Sequence, residues 1–266
     1  KLSFKIIYFR TMKLNSSDFL GIIPARFNST RLKGKPLMKI GGKTMIEHVY
    51  LRASKVLDNL VVATDDKNIF DTVNRFGGNV VLTKKDHLNG TSRCLEAVNI
   101  WSKELKKSFN YVINIQGDEP LLHEDHITKL IDCFNDSKTE FATIAQKLKS
   151  SKNLPKDKVF LVKDTFNFAL YFSRHTIPFL REDEAKGDSN EFHQHIGIYG
   201  YTINALQKFQ QLKPSKLEIN EKLEQLRWLE NGGKIKVGTT IYPSFPVDTL
   251  EDLISIRKVY EDKGHL

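Results

Sequence analysis

Short, almost uninterrupted apolar runs alternate with amphipathic stretches through the first half of the chain. Residues 19–24 (FLGIIP), 60–64 (LVVAT), 79–83 (NVVLT) and 111–116 (YVINIQ) read as buried strands. Helices are predicted from about Thr44, over 67–76, and from Thr91 to about Lys107. Strands that are apolar along their whole length, alternating with helices, specify a parallel sheet covered by helices. In such a sheet ligands sit beyond the carboxyl ends of the strands. The polar loops at 25–36, 84–93 and 116–122 are therefore predicted to converge.

The second half has a different texture. Strand-like segments at 141–148, 159–163, 166–173 and 195–201 are separated by irregular polar loops, and 178–194 reads as exposed and mobile. Helices follow at 203–212 and 217–230, then a turn at Gly232-Gly233, a strand at 234–241 and a closing helix from Thr249. The expected fold class is α/β, with a mainly parallel sheet covered by helices and a smaller mixed α/β lobe. Residues 19–266 are expected to form one domain, its lobe around 150–230. Residues 1–18 read as an extension, disordered or extraneous; Met12 is the expected natural start, which would make the first eleven residues additions.

Composition narrows the class without deciding it. The 266 residues include 40% hydrophobic and 27% charged, as in an ordinary globular protein, and the apolar runs are strand-sized rather than membrane-spanning. Cys94 and Cys133 lie in no metal-ligand spacing and read as buried thiols, which suits a reducing cytoplasm. The net charge of +9 could suggest nucleic acid, but the lysines are scattered, with no dense basic run or interleaved aromatics. Only ten of the 41 cationic residues are arginine, and Arg26, Arg31, Arg93, Arg174 and Arg227 all fall within motifs.

The chemistry begins at Gly21–Leu37, where a strand runs into a loop bearing Arg26, Arg31, Lys33 and Lys35. Cationic side chains and backbone amides fixed at a strand end suit a triphosphate. A P-loop would need glycine at Leu37, ahead of Gly42-Lys43-Thr44, and the dinucleotide fingerprint is absent. Gln116-Gly117-Asp118-Glu119-Pro120 follows the fourth strand, so Asp118 is placed either to hold a hard cation against phosphates or simply to make a turn. Asp248, in Pro246-Val247-Asp248-Thr249, is either a second such carboxylate or a helix cap. Glu224 and Arg227, three residues apart on a helix, read equally as a surface ion pair. Tyr199, Tyr201 and His195 on a strand read equally as packing, and Arg93 as a solvated helical charge. His123 and His126 have a metal-like spacing but begin an exposed-looking helix.

In register, these motifs resemble the 3-deoxy-manno-octulosonate (Kdo) cytidylyltransferases. Beside the opening loop stand His87-Leu-Asn-Gly-Thr-Ser-Arg93, Gln116-Gly-Asp-Glu-Pro120, Tyr171-Phe-Ser-Arg174 with Thr176-Ile-Pro178, His195-Ile-Gly-Ile-Tyr-Gly-Tyr201, Leu217-Glu218, Leu223-Glu-Gln-Leu-Arg227 and Val247-Asp-Thr249. The resemblance spans roughly residues 19 to 260. It implies a nucleotide-diphospho-sugar transferase fold and transfer of CMP from CTP to the anomeric hydroxyl of Kdo, with Mg²⁺ as cofactor. It further implies a homodimer serving lipopolysaccharide synthesis in the cytoplasm, with no nucleic-acid or membrane partner.

Carried over residue by residue, Arg26, Lys35, Asp118 and Asp248 would be catalytic. Pro24, Ala25, Arg26, Arg31, Lys35, Thr91, Arg93 and Gln116 would surround the nucleotide. Arg174, His195, Tyr199, Glu224 and Gln225 would face the sugar, and Asp118 and Asp248 would bind the metal. In-line attack at an α-phosphate needs positioning and charge neutralisation, which these residue types supply.

Two departures bear on the acceptor. Ser92 stands where the family usually carries an acid, and Leu154-Pro155-Lys156 replaces an Asn-Pro-Asn stretch. An 8-amino analogue of Kdo or another 2-keto sugar acid remains an alternative acceptor, as does a catalytically silent nucleotide-binding relative. Ser92→Asp is expected to shift kcat/KM several-fold for some acceptor.

Overall fold

A computed structural model describes residues 14–28, 31–87, 89–148, 158–181 and 191–262. The proposed start at Met12 and the 154–156 departure lie outside the described residues. The first half builds β1 (Phe19–Ala25), a small hairpin of β2 (Lys39–Ile40) and β3 (Lys43–Thr44), α1 (Met45–Ala53), β4 (Leu60–Thr64), α2 (Lys67–Arg75), β5 (Val80–Leu82), α3 (Gly90–Leu105), β6 (Tyr111–Asn114) and α4 (Glu124–Cys133). The second half adds β7 (Phe141–Leu148), β8 (Phe160–Lys163), β9 (Ala169–Ser173), β10 (Phe192–Thr202), α5 (Ile203–Gln211), α6 (Lys216–Glu221), α7 (Leu226–Glu230), β11 (Lys236–Thr240) and α8 (Leu250–Asp262).

Among the described residues nine strands form one sheet whose main path runs β11-β7-β10-β6-β1-β4-β5. β1 pairs in parallel with β4 and β6, β4 with β5, and β11 with β7. β10 runs antiparallel to both β6 and β7, so it alone is reversed along that path. Successive residues of β1 feed opposite faces: Phe19, Ile23 and Ala25 enter a core with α1 and α4, while Leu20 and Ile22 enter one with α3 and α5. Burial on both faces is the reason this strand reads as continuously apolar. Gly21 has no room for a side chain, because a Cβ there would lie 2.7 Å from the Leu57 side chain.

A third, smaller core joins Leu32, Ile40 and Met45 to Val247, Leu253, Ile256 and Tyr260. It draws the opening loop against α8 and so brings together two carboxylates that are distant in sequence.

Three expectations need correction. The helix expected at 217–230 is two short ones. Lys222 closes α6 in the left-handed region at φ 53°, and Glu224 and Gln225 lie in the break before α7. A capping box of Ser215 and Glu218 starts α6, and Arg174 Nε donates to its last carbonyl, Glu221 O, at 2.6 Å. Of the stretch expected to be exposed and mobile at 178–194, residues 182–190 lie outside the described residues, and its end enters β10 at Phe192. Phe192 and Gln194 are buried there, because the strand continues its pairing to Leu148 and Phe160. Finally, α3 begins at Gly90 rather than Thr91, since Asn89 Oδ1 accepts from the Ser92 N–H at 2.8 Å and fixes the start one residue earlier.

Candidate active site

The three predicted loops meet beyond the carboxyl ends of β1 and β6. Gly90 and Gly117 both pack against Pro24, where a Cβ would lie 3.2 Å from the Pro24 ring and 3.1 Å from its carbonyl oxygen, respectively. Two adjoining cavities open at this junction and share Gly90, Gln116 and Asp118.

The first cavity, about 360 Å³, is lined by Pro24, Ala25, Arg26 and Lys35 from the opening loop. Burial lowers the pKa of the Arg26 guanidinium and the neighbouring Arg93 charge adds to this, while Asp65 opposes it. Arg26 Nη2 is buried without a hydrogen-bond partner among the described residues. An anionic ligand oxygen would satisfy that donor and relieve the repulsion.

Lys35 stands at the junction, its side chain only 12% exposed. Its Nζ donates to Asp118 Oδ2 at 2.7 Å, to Val247 O at 2.8 Å and to Asp248 Oδ1 at 3.3 Å. Arg31 Nη2 reaches the same Asp248 oxygen at 2.9 Å. Asp118 and Asp248 therefore converge on one cationic centre. Asp248 is also not the helix cap, because Thr249 Oγ1 accepts from the Asp252 N–H at 3.2 Å and Asp252 Oδ2 accepts in return from the Thr249 N–H.

The second cavity, about 460 Å³, extends along β10 and the break before α7. Its lining includes Thr91, Arg174, His195, Tyr199, Glu224 and Gln225. Glu224 accepts from Asn89 Nδ2 at 2.7 Å and from Thr91 Oγ1 at 3.2 Å, and burial pushes its carboxyl pKa up. The surface-pair reading of Glu224 with Arg227 fails, since Arg227 Nε donates to Glu218 Oε2 at 2.8 Å. Tyr199 donates to Gln225 Oε1 at 3.2 Å.

His195 is set by its neighbour on β7. Thr143 Oγ1 lies 2.9 Å from Ile198 O, to which only its hydroxyl proton can donate, and 3.0 Å from His195 Nε2. His195 Nε2 must then carry the proton, which leaves Nδ1 as the acceptor. Burial holds the His195 pKa down to about 3, so the ring is neutral. A register shift in β10 between Ile196 and Tyr199 turns both carbonyls of this bulge toward Thr143.

Three buried polar atoms on this one cavity lack partners among the described residues: Asn114 Oδ1, Glu119 Oε2 and Gln225 Nε2. A hydroxyl-rich ligand would complete them. Burial pushes the Glu119 carboxyl up to about 7 against the hydrogen bond from Ser244 Oγ, and the Asp118 charge adds to the rise. Glu119, Asn114 and Ser244 escaped the sequence reading. Glu119 carried a signal, being the next residue in the Asp118 motif; the other two carried none.

Two of the predicted nucleotide residues line neither cavity. The Arg31 side chain is 64% exposed and reaches the site only through Asp248. Arg93 is fully buried, 3.4 Å from Asp65 and bonded to Thr83 Oγ1 and Lys84 O, so it is not the solvated helical charge its position suggested. Arg174 lines the second cavity, but its guanidinium is engaged by the Glu221 and Lys222 carbonyls. Ser92 also lies off both cavities, donating to Asn89 O at 3.0 Å. His126 is buried rather than exposed, with Nε2 3.0 Å from Tyr242 O, because α4 packs this face on the sheet. No cluster of three or more metal-ligating side chains occurs among the described residues.

A family profile described as cytidylyltransferase matches residues 20–235. A 3-deoxy-manno-octulosonate cytidylyltransferase of Parabacteroides distasonis is 43% identical over 244 residues, covering 88% of this chain and 95% of that protein. One from Thermodesulfovibrio yellowstonii is 46% identical over 242 residues, covering 87% and 94%. The structure of a CMP:2-keto-3-deoxy-manno-octonic acid synthetase complexed with CTP superposes with a TM-score of 0.83 at 35% identity, covering 93% of this chain and all of that one.

Proposed function

This chain belongs to the cytidylyltransferase family, within the 3-deoxy-manno-octulosonate group, and from that membership we infer that it makes CMP-Kdo from CTP and Kdo. The anomeric oxygen of the sugar acid forms a bond to the α-phosphorus of CTP, the bond to the bridging oxygen breaks, and pyrophosphate leaves. The observation that carries this reading is the pair of cavities meeting at Gln116 and Asp118, one edged by Arg26 and Lys35 and the other lined by unpartnered polar groups. The cationic cavity suits the triphosphate and the polar one the sugar acid.

Arg26 offers a partly buried guanidinium with an unpartnered Nη2 to the phosphates, and Lys35 a nearly buried ammonium beside the junction. In that low-dielectric setting both act more strongly on developing charge than they would in water. Glu224, Gln225 and Tyr199 offer fixed acceptors and donors to the sugar hydroxyls, and neutral His195 offers Nδ1. Held in this way, the two substrates react as an effectively unimolecular pair.

Asp118 and Asp248 fit Mg²⁺. Two hard oxygen donors already converge on one cation, and Mg²⁺ is commonly held by one or two carboxylates together with substrate phosphates and water. When bound, it would polarise the phosphate and lower the pKa of the attacking hydroxyl. A cytoplasmic enzyme fits the buried thiols Cys94 and Cys133. No helix among the described residues is long and apolar enough to cross a membrane. A homodimer fits the exposed apolar side chains Phe166, Leu170 and Phe179, and light scattering after size exclusion tests it.

The test of function is pyrophosphate release with CTP and Mg²⁺ across Kdo, 8-amino-Kdo and a sialic acid, with UTP as control. Release with CTP and Kdo, abolished by chelation, is the expected result. Preference for another acceptor would move the substrate, and no release with any would mark a silent nucleotide-binding protein.

A further inference from the structure

A third cavity, about 430 Å³, lies on the far side of α1, and neither substrate's chemistry involves it. One stripe of α1 supplies His48 and Arg52 one turn apart, Lys55 follows from the turn just after that helix, the β2–β3 hairpin supplies Lys43, and α8 supplies Tyr260. Its charged lining residues are all cationic. Neither Lys43 nor Arg52 has a carboxylate partner among the described residues, whereas Lys55 shares its charge with Glu124 at 3.1 Å. Basic residues in the last turn of a helix need no ligand to explain them. That accounts for Arg52, and Glu124 accounts for Lys55, but neither accounts for Lys43, which comes from the opposite end of α1.

The buried part of this cavity is built from fixed polar groups. His48 is 7% exposed, with Nε2 2.7 Å from Ile40 O and Nδ1 3.1 Å from the Tyr260 hydroxyl. The hydroxyl also lies 3.3 Å from Pro120 O, two residues beyond Asp118, and Arg52 Nη1 reaches Leu122 O at 3.5 Å. Burial lowers the His48 pKa, and the charges of Lys43 and Arg52 lower it further. His48 is therefore neutral, and the positive field of Lys43 and Arg52 in this enclosure is what an anion would neutralise.

We propose that this cavity is a second anion site, separate from the nucleotide cavity, that takes one compact phosphate-bearing ligand: inorganic phosphate, pyrophosphate or a sugar phosphate. Glu47 and Glu124 beside it disfavour an extended polyanion such as RNA, which could not avoid them. Because Tyr260 and Arg52 also touch the loop that carries Asp118, the site is joined to the reaction centre through that loop.

The test is isothermal titration of Arg26→Gln protein, in which the principal phosphate donor of the nucleotide cavity is removed. Inorganic phosphate, pyrophosphate and glucose 6-phosphate are titrated separately at low salt. The expected result is one saturable site for at least one of the three, with the preferred ligand identifying the source. Adding Lys43→Gln and Arg52→Gln should weaken that site by about tenfold or more, while Arg52→Lys retains it. Thermal melts establish that each variant is folded. If the double change does not fold, Lys43→Gln, on an exposed hairpin, gives the same reading with a smaller loss. No saturable binding by any of the three ligands, or equal binding after the cavity charges are removed, would overturn the proposal.

Discussion

Lys35 Nζ lies 2.7 Å from Asp118 Oδ2, and this contact joins the opening loop to the end of β6 across 83 residues of sequence. The same ammonium bonds Asp248 and the Val247 carbonyl, so a single side chain holds both candidate metal ligands in register. Lys35→Met should leave the two carboxylates to repel one another, with only Arg31 nearby. The melting temperature should then fall in chelator and recover more on Mg²⁺ addition than in the wild type. Turnover should drop about a hundredfold, or ~2.7 kcal/mol of transition-state stabilisation. Melts that respond to Mg²⁺ as the wild type does would show that Lys35 does not organise the pair.

Glu218 and Glu224 share a helical neighbourhood but separate into two roles. Glu218 is bonded to Arg227 in a pair whose side chains are 14% and 10% exposed. Glu218→Ala would strand a nearly buried guanidinium and should cost about 3 kcal/mol of stability. Glu224→Gln should leave the melting temperature nearly unchanged but raise KM for the sugar acid about tenfold, with KM for CTP unaltered. Equal effects on the two substrates would remove Glu224 from the sugar cavity.

Much of the sheet is legible in the sequence because burial on both faces leaves an apolar signature: β1, β4 and β7 begin and end within a residue of where their hydrophobic runs place them. The Lys222 break was not legible. It occurs at a residue with no helix-breaking chemistry, and the compensating carbonyl bonds come from Arg174, 47 and 48 positions away. The convergence of the three loops followed from topology. The burial of Arg93 did not, since a helical arginine gives no local sign that Asp65 and Thr83 enclose it. Glu119 was masked by its neighbour: beside Asp118 it read as part of a turn, and only the fold shows it buried against Ser244.

Thr143 positions His195 without lining either cavity. Thr143→Val keeps the shape but removes the hydroxyl that fixes the Nε2–H tautomer. The loss of about 1 kcal/mol should raise KM for the sugar acid roughly fivefold. Imidazole ¹⁵N shifts should change from a single Nε2–H form to a mixture, which separates positioning from a packing defect. Retention of a single tautomer would assign the orientation of His195 to something other than Thr143.

Ser92 replaces an acid without opening onto the substrates. Its hydroxyl donates to Asn89 O and lies 3.2 Å from His87 Nδ1. Ser92→Asp should stabilise the start of α3 by about 0.5 kcal/mol through the helix dipole. kcat/KM for Kdo should stay within about twofold, a smaller effect than the motif alone implies. A larger change confined to one acceptor would restore Ser92 as a determinant of sugar choice.

Acid should weaken the fold partly through His195. Burial holds this imidazole down to about 3, while the unfolded chain takes up its proton near pH 6.5. The unfolded state therefore binds more protons between these values. The His195 contribution is fully present above about pH 6.5 and is lost progressively as pH falls toward 3, by at most ~1.4 kcal/mol per pH unit. His48 and His126, also lowered by burial, act in the same direction. Denaturant titrations of His195→Gln from pH 7 to 4.5 should show a shallower loss of stability than the wild type, by up to one proton's slope. Parallel curves would mean that His195 is charged in the folded protein, and the neutral Nδ1 acceptor assigned to the sugar cavity would fall with it.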